Sequence, residues 1–163
     1  MKSIIIYYSY SGNTKKVAEI LAEHLKQNGE VETIELKALD ESSNFFKQGN
    51  RALKKVRAQI ADTKFDLAQY DLICLGTPVW AFGPAPAMNA YLDKCSGLGN
   101  KEVVLFCTVG GTGIDRCLNY MQGILETKGA KKFKRFAFKQ SKIKDQEFIL
   151  NTIKESVRLW PNG

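Results

Sequence analysis

Ser3-Ile4-Ile5-Ile6-Tyr7-Tyr8-Ser9-Tyr10-Ser11-Gly12-Asn13-Thr14 begins as an unbroken apolar run and ends as a turn of small hydroxyl residues. The run from Ser3 to Tyr8 predicts a strand buried on both faces, the situation of strands in a parallel sheet covered by helices. Beyond the turn, Val17, Leu21 and Leu25 recur at helical spacing within Lys15–Asn28, and Gly29 stops the pattern. A helix is expected there. Strand, turn and helix together make the first half of a βαβ unit.

The alternation continues along the chain. Glu30–Leu36 alternates polar and apolar residues and reads as a half-buried second strand. Asp71–Gly76 contains Leu72-Ile73-Cys74-Leu75, a third strand buried on both faces. Pro84 and Pro86 open a helix that runs to Cys95, since proline is tolerated in a first turn. Val103–Thr108 is a fourth strand, and Ile114, Leu118, Met121 and Leu125 mark a helix ended by Gly129. Phe133–Phe138 is a fifth strand, and Ile149, Ile153, Val157 and Trp160 stripe a last helix stopped by Pro161. Right-handed crossovers then predict an α/β fold, a doubly wound five-stranded parallel sheet of order 2-1-3-4-5 with helices on both faces. No linker or repeat divides the sequence, so residues 1–163 are read as one domain. One stretch breaks the rhythm. Residues 41–64 read as a helical excursion, with Leu53, Val56 and Ile60 as its apolar stripe, Lys47, Arg51, Lys54, Lys55 and Arg57 as its polar side, and Phe45 and Phe46 at its start. It is either a surface helix on the sheet or a cover over a ligand.

Composition narrows the function classes. A hydrophobic share of 44% over 163 residues supports a real core. No apolar run approaches the ~20 residues of a membrane helix, and no cleavable leader is read at the start, so a cytoplasmic protein is expected. Cys74, Cys95, Cys107 and Cys117 include no C-x-x-C pair, and with a single histidine this gives no zinc pattern. They are read as reduced core residues, Cys117 lying nearest a ligand loop, and His24, beside Glu23, as solvated. The net charge of +7 invites a nucleic-acid reading. The cations concentrate in Lys128, Lys131, Lys132, Lys134, Arg135, Lys139, Lys142 and Lys144, with no acid between them. On an edge strand such lysines block sheet-to-sheet pairing, and the remainder would face an acidic redox partner. Phe133, Phe136 and Phe138 among them are read as packing inward, which leaves no exposed stacking surface for nucleic acid.

In open parallel sheets ligands bind beyond the carboxyl ends of the strands, at the point where strand order reverses. Three turns meet there. Ser9-Tyr10-Ser11-Gly12-Asn13-Thr14 leads into a helix whose first N–H groups lack internal partners and carry partial positive charge, so a phosphate fits. Three hydroxyls, a glycine and an asparagine exceed what a helix cap needs. The loop is neither G-x-x-x-x-G-K-[ST] nor G-x-G-x-x-G. Thr77-Pro78-Val79-Trp80-Ala81-Phe82-Gly83-Pro84-Ala85-Pro86 puts two aromatics in a turn, Trp80 as a stacking platform and Phe82 as the one more apt to enter the core. Thr108-Val109-Gly110-Gly111-Thr112-Gly113 allows close backbone approach to the edge of a ring.

Over nearly its whole length the chain resembles the flavodoxin family. Ser9-Tyr10-Ser11-Gly12-Asn13-Thr14 matches that family's [ST]-x-[ST]-G-N-T phosphate loop, and Gly76-Thr77-Pro78-Val79-Trp80 stands where its flavin-stacking loop does. The lack of an insertion in the fifth strand makes it similar to short-chain members. The resemblance implies FMN as cofactor, phosphate held by Ser9, Ser11, Asn13 and Thr14, Trp80 beside the isoalloxazine, and the backbone of Thr108–Gly113 on its other side. Gly110-Gly111-Thr112-Gly113 departs from the family, which often carries an aromatic and acidic residues there. The expected function is an FMN-binding electron-transfer protein with no catalytic acid, base or nucleophile; the alternative is an NAD(P)H-dependent FMN or quinone reductase on the same fold.

Overall fold

The computed structural model describes residues 1–40 and 57–157. Its elements are β1 (Lys2–Tyr7), α1 (Asn13–Lys26), β2 (Glu30–Glu35), β3 (Leu72–Trp80), β4 (Gly83–Pro84), α2 (Pro86–Lys94), β5 (Glu102–Val109), α3 (Ile114–Thr127), β6 (Lys132–Lys139) and α4 (Gln146–Ser156). The sheet runs β2-β1-β3-β5-β6, with β4 hairpinned onto the end of β3. All five long strands are parallel. Counting them alone gives 2-1-3-4-5, as the alternation of elements predicts.

Side chains alternate across a strand, and here the two sets build two cores. Ile4, Ile6, Ile73, Leu75, Val103 and Leu105 join the α2 and α3 residues Met88, Tyr91, Leu118 and Met121. Ile5, Tyr7, Leu72, Cys74, Val104 and Phe106 join the α1 and α4 residues Val17, Leu21, Ile149 and Ile153. Helices therefore cover both faces, which is why the central strands read as continuous apolar runs.

Several local expectations change. β3 does not stop at Gly76 but continues to Trp80, because Thr77 and Pro78 pair with Cys107 and Thr108 of β5. Pro84 belongs to β4, and the helix starts at Pro86. His24 is not solvated; it is 6% exposed. Spacings of three and seven from Leu21 and Val17 put it on the buried stripe of α1, and neither ring nitrogen has a partner among the described residues. Most of the 41–64 excursion, with Phe45, Phe46, Lys47, Arg51, Leu53, Lys54, Lys55 and Val56, lies outside the described residues, as do Trp160 and Pro161. Its last part is not helical. Ile60 forms an antiparallel bridge with Ala38, and Arg57 holds Asp93 of α2 through contacts of 2.6 and 3.0 Å.

Lys64 and Tyr70 then fasten the chain to edge strand β2. The Lys64 ammonium donates to Glu32 at 2.7 and 2.8 Å and to the Tyr70 hydroxyl at 2.7 Å, while Tyr70 donates to Glu32. Hydrogen bonds from Lys64 and Tyr70 hold the Glu32 carboxyl below its ordinary 4.5. Among the described residues no helix is long and apolar enough to cross a membrane.

Candidate functional site

The carboxyl ends of β1, β3 and β5 bring the three turns together. After β1, the chain turns through Ser9–Gly12 into α1. Gly12 makes the turn in the left-handed region, at φ 87°, and a Cβ there would meet open space. The Ser9 hydroxyl accepts from the Lys15 N–H at 3.2 Å, so one of the hydroxyls works as a local cap. Thr14 is 1% exposed, and its hydroxyl lies 2.8 Å from that of Thr108 on β5. The first and third turns are thus joined by a side-chain hydrogen bond. Tyr10, half exposed, sets its ring edge-on to Trp80 at 5.4 Å, and Tyr8 does the same from below at 5.8 Å.

The second turn is a strand end and a tight hairpin. Trp80 pairs with Gly83, and the two connecting residues, Ala81 and Phe82, have φ of 47° and 65°. Positive φ at both central positions marks a type I′ turn, whose twist suits a two-residue hairpin. The turn overturns the core reading of Phe82 but keeps Trp80 at the strand end. Trp80 is packed into the core cluster at 9% exposure, and Phe82 stands out at 47%. A hairpin tip projects its side chains from the sheet, so Phe82 has no core to enter. Its ring instead covers Gly113, where a Cβ would come within 2.9 Å of it, and the Arg116 guanidinium lies 5.8 Å from its centroid.

Between this hairpin and the third turn is a slot of about 330 Å³, within the usual size of ligand pockets. Val79, Trp80, Ala81 and Phe82 form one wall, Val109, Gly110, Gly111 and Thr112 the other, and Gln140 closes the end. No lining side chain is titratable. Thr77 and Pro78 stand behind the wall; the Thr77 hydroxyl accepts from the Ala85 N–H at 3.0 Å and so ties the hairpin to the start of α2. Gln140 was not singled out in the sequence. It follows β6, and the same carboxyl-end rule would have included it. A larger groove, about 580 Å³, follows the outer faces of α1 and α4. It opens among Lys15, Lys16, Glu19 and Glu23 rather than where the strand ends converge, so size is a poor guide here.

Cys107 and Cys117 are fully buried behind the third turn, in hydrogen-bonding contact, and that contact together with burial pushes the Cys117 thiol up. Burial raises Cys95 to about 11. All four cysteines are free and buried.

The comparisons agree with this architecture. A flavoprotein from Lactobacillus acidophilus, solved in complex with FMN, is 25% identical with a TM-score of 0.63, over 90% of this chain and 98% of that one. A flavodoxin from the domain Archaea superposes with a TM-score of 0.61 at 20% identity, over 98% and 100% of the two chains. An NAD(P)H dehydrogenase (quinone) from Cupriavidus metallidurans is 30% identical over 103 residues, 63% of this chain and 51% of that protein; the chain thus spans about half the length of this curated relative. The family model for NADPH-dependent FMN reductase matches residues 1–142. With a flavodoxin-like sheet and a slot at its carboxyl end, the chain belongs to the NADPH-dependent FMN reductase family.

Proposed function

We propose that the protein binds FMN in the slot and works as an NAD(P)H-dependent reductase. The observation that carries this is the junction at the sheet's carboxyl end. A helix N-terminus whose N-cap residue Gly12 offers no side chain, with hydroxyl residues around it, stands next to a slot walled by an aromatic hairpin and a glycine-rich turn. Phosphate would go to Ser9, Ser11, Asn13, Thr14 and the first N–H groups of α1, where the helix dipole favours negative charge. Tyr10 and Gly12 would shape that loop. Val79, Trp80, Ala81, Phe82 and Gly83 would flank one side of the flavin ring, backed by Thr77 and Pro78. The backbone of Thr108, Val109, Gly110, Gly111, Thr112 and Gly113 would meet the other, with the Thr108 side chain turned away to Thr14.

FMN, when bound, supplies the redox chemistry, taking two electrons from a reduced nicotinamide and passing them to an oxidised acceptor. The protein's part is to bind, orient and exclude water. The glycines would let backbone N–H groups reach the polar edge of the ring, and no carboxylate lines the slot to repel the charge a reduced flavin would carry. With no titratable lining group, the slot's side chains would neither give nor take a proton, which would have to come from solvent.

The charge distribution favours a second reading, a carrier that docks an acidic redox protein. Lys131, Lys132, Lys139 and Lys144 are exposed on and beside edge strand β6, without an ion pair among the described residues. Stopped-flow mixing of the FMN-loaded protein with NADPH separates the two. Bleaching of the flavin absorbance within seconds supports the reductase; a flavin that stays oxidised until an electron-donor protein is added overturns it. Failure of the purified protein to quench FMN fluorescence would overturn both.

A further inference from the structure

β5 is apolar from Val103 to Val109 except at Thr108. A hydroxyl buried at 1% exposure in such a strand costs stability unless it is hydrogen-bonded, and its partner is the Thr14 hydroxyl at 2.8 Å. The pair carries two protons. One lies between the oxygens. No other hydrogen bond to either hydroxyl occurs among the described residues.

Either oxygen can donate in that contact, and the two arrangements differ at the ligand. If Thr14 donates to Thr108, its one proton is used and it has none to offer an anion at the α1 N-terminus. If Thr108 donates to Thr14, the Thr14 proton is released to an anion, and the first bond polarises the second in its favour. A phosphate at this helix start selects the second arrangement. We propose that Thr108 is a positioning residue for the phosphate: it donates to Thr14 Oγ1 and so commits the Thr14 proton to the bound ligand. A residue in the strand beside the ring thereby acts on the opposite end of the cofactor. The inference rests on the FMN placement proposed above.

The test compares FMN with riboflavin, which has the same ring and no phosphate, by fluorescence quenching. Thr108→Val keeps the shape and removes the donor. It should weaken FMN roughly five- to tenfold, the size of one net hydrogen bond, and leave riboflavin unchanged. Thr108→Ser should restore FMN affinity. In a Thr14→Val background, Thr108→Val should cost nothing further. Thr108→Ala, which cannot overfill the site, gives the same comparison if the valine variant does not fold. Equal weakening of FMN and riboflavin, or an unchanged FMN affinity, overturns the inference while leaving the site in place. A wild-type protein with no preference for FMN over riboflavin overturns the phosphate placement itself.

Discussion

Gly76 shows how much one residue of this site depends on a neighbour that is far away in sequence. Its φ is not in the left-handed region, so the backbone does not require glycine. The space does: a Cβ would fall 2.1 Å from Phe106 Cζ, in a ring that is fully buried and stacked on Phe136 at 5.6 Å. Overpacking of a tight core costs about 1–3 kcal/mol, so Gly76→Ala should lower the unfolding free energy by about 2 kcal/mol in urea titration. Phe106→Leu in the same chain should recover part of it. No recovery would mean that the backbone, not the ring, is the constraint. The sequence placed Gly76 in the right motif without this reason, because the contact crosses from β3 to β5. His24 and Phe82 were misread for related causes. The adjacent Glu23 suggested solvent for His24, although its helical spacing pointed inward. Phe82 looked like a core residue until the turn beneath it was known.

At the scale of elements, the strands and helices were legible because both faces of the sheet are covered and apolar runs persist. The ends were less so. Thr77, Pro78 and the following residues read as a loop, yet pairing with β5 carries β3 to Trp80, since partner strands decide strand length more than local composition does. The hairpin that follows is strained, with Ala81 at φ 47°. A non-glycine residue held there costs of order 1–3 kcal/mol, and asparagine tolerates it better. Ala81→Asn should therefore raise stability by about 1 kcal/mol in denaturant titration, and an unchanged midpoint would show that the turn is unstrained. Edge strand β2 depends on a different device, the hold of Lys64 and Tyr70 on Glu32. The folded carboxyl titrates below its ordinary 4.5, so its contribution is complete above that value and is lost as pH falls through the lower, folded one. Wild type and Glu32→Gln should differ in melting temperature at neutral pH and converge on acidification. Curves that stay parallel down to low pH would assign the difference to packing.

For the molecule as a whole, the net charge of +7 was plain in the sequence, but its use was not. Lys134 pairs with Glu102 at 2.7 Å, Arg135 reaches Asn119 at 2.7 Å, and Lys128 donates to the Asp93 and Cys95 carbonyls at 2.9 and 3.0 Å. Part of the basic cluster is therefore internal fastening, which composition does not separate from free charge. Another consequence follows from where the slot stands. Its two walls are rooted in the last residues of β3 and β5, neighbouring interior strands of the sheet, so the base of the receptor is set by the same cooperative unit that holds the protein folded. In the empty protein, amide protons of the paired β3 and β5 ends should exchange with deuterium only through global unfolding. Flavin capture should likewise need no opening step: its observed rate should rise linearly with concentration and reach no plateau. A mould cut into the keel of the molecule does not have to be recast for each cargo.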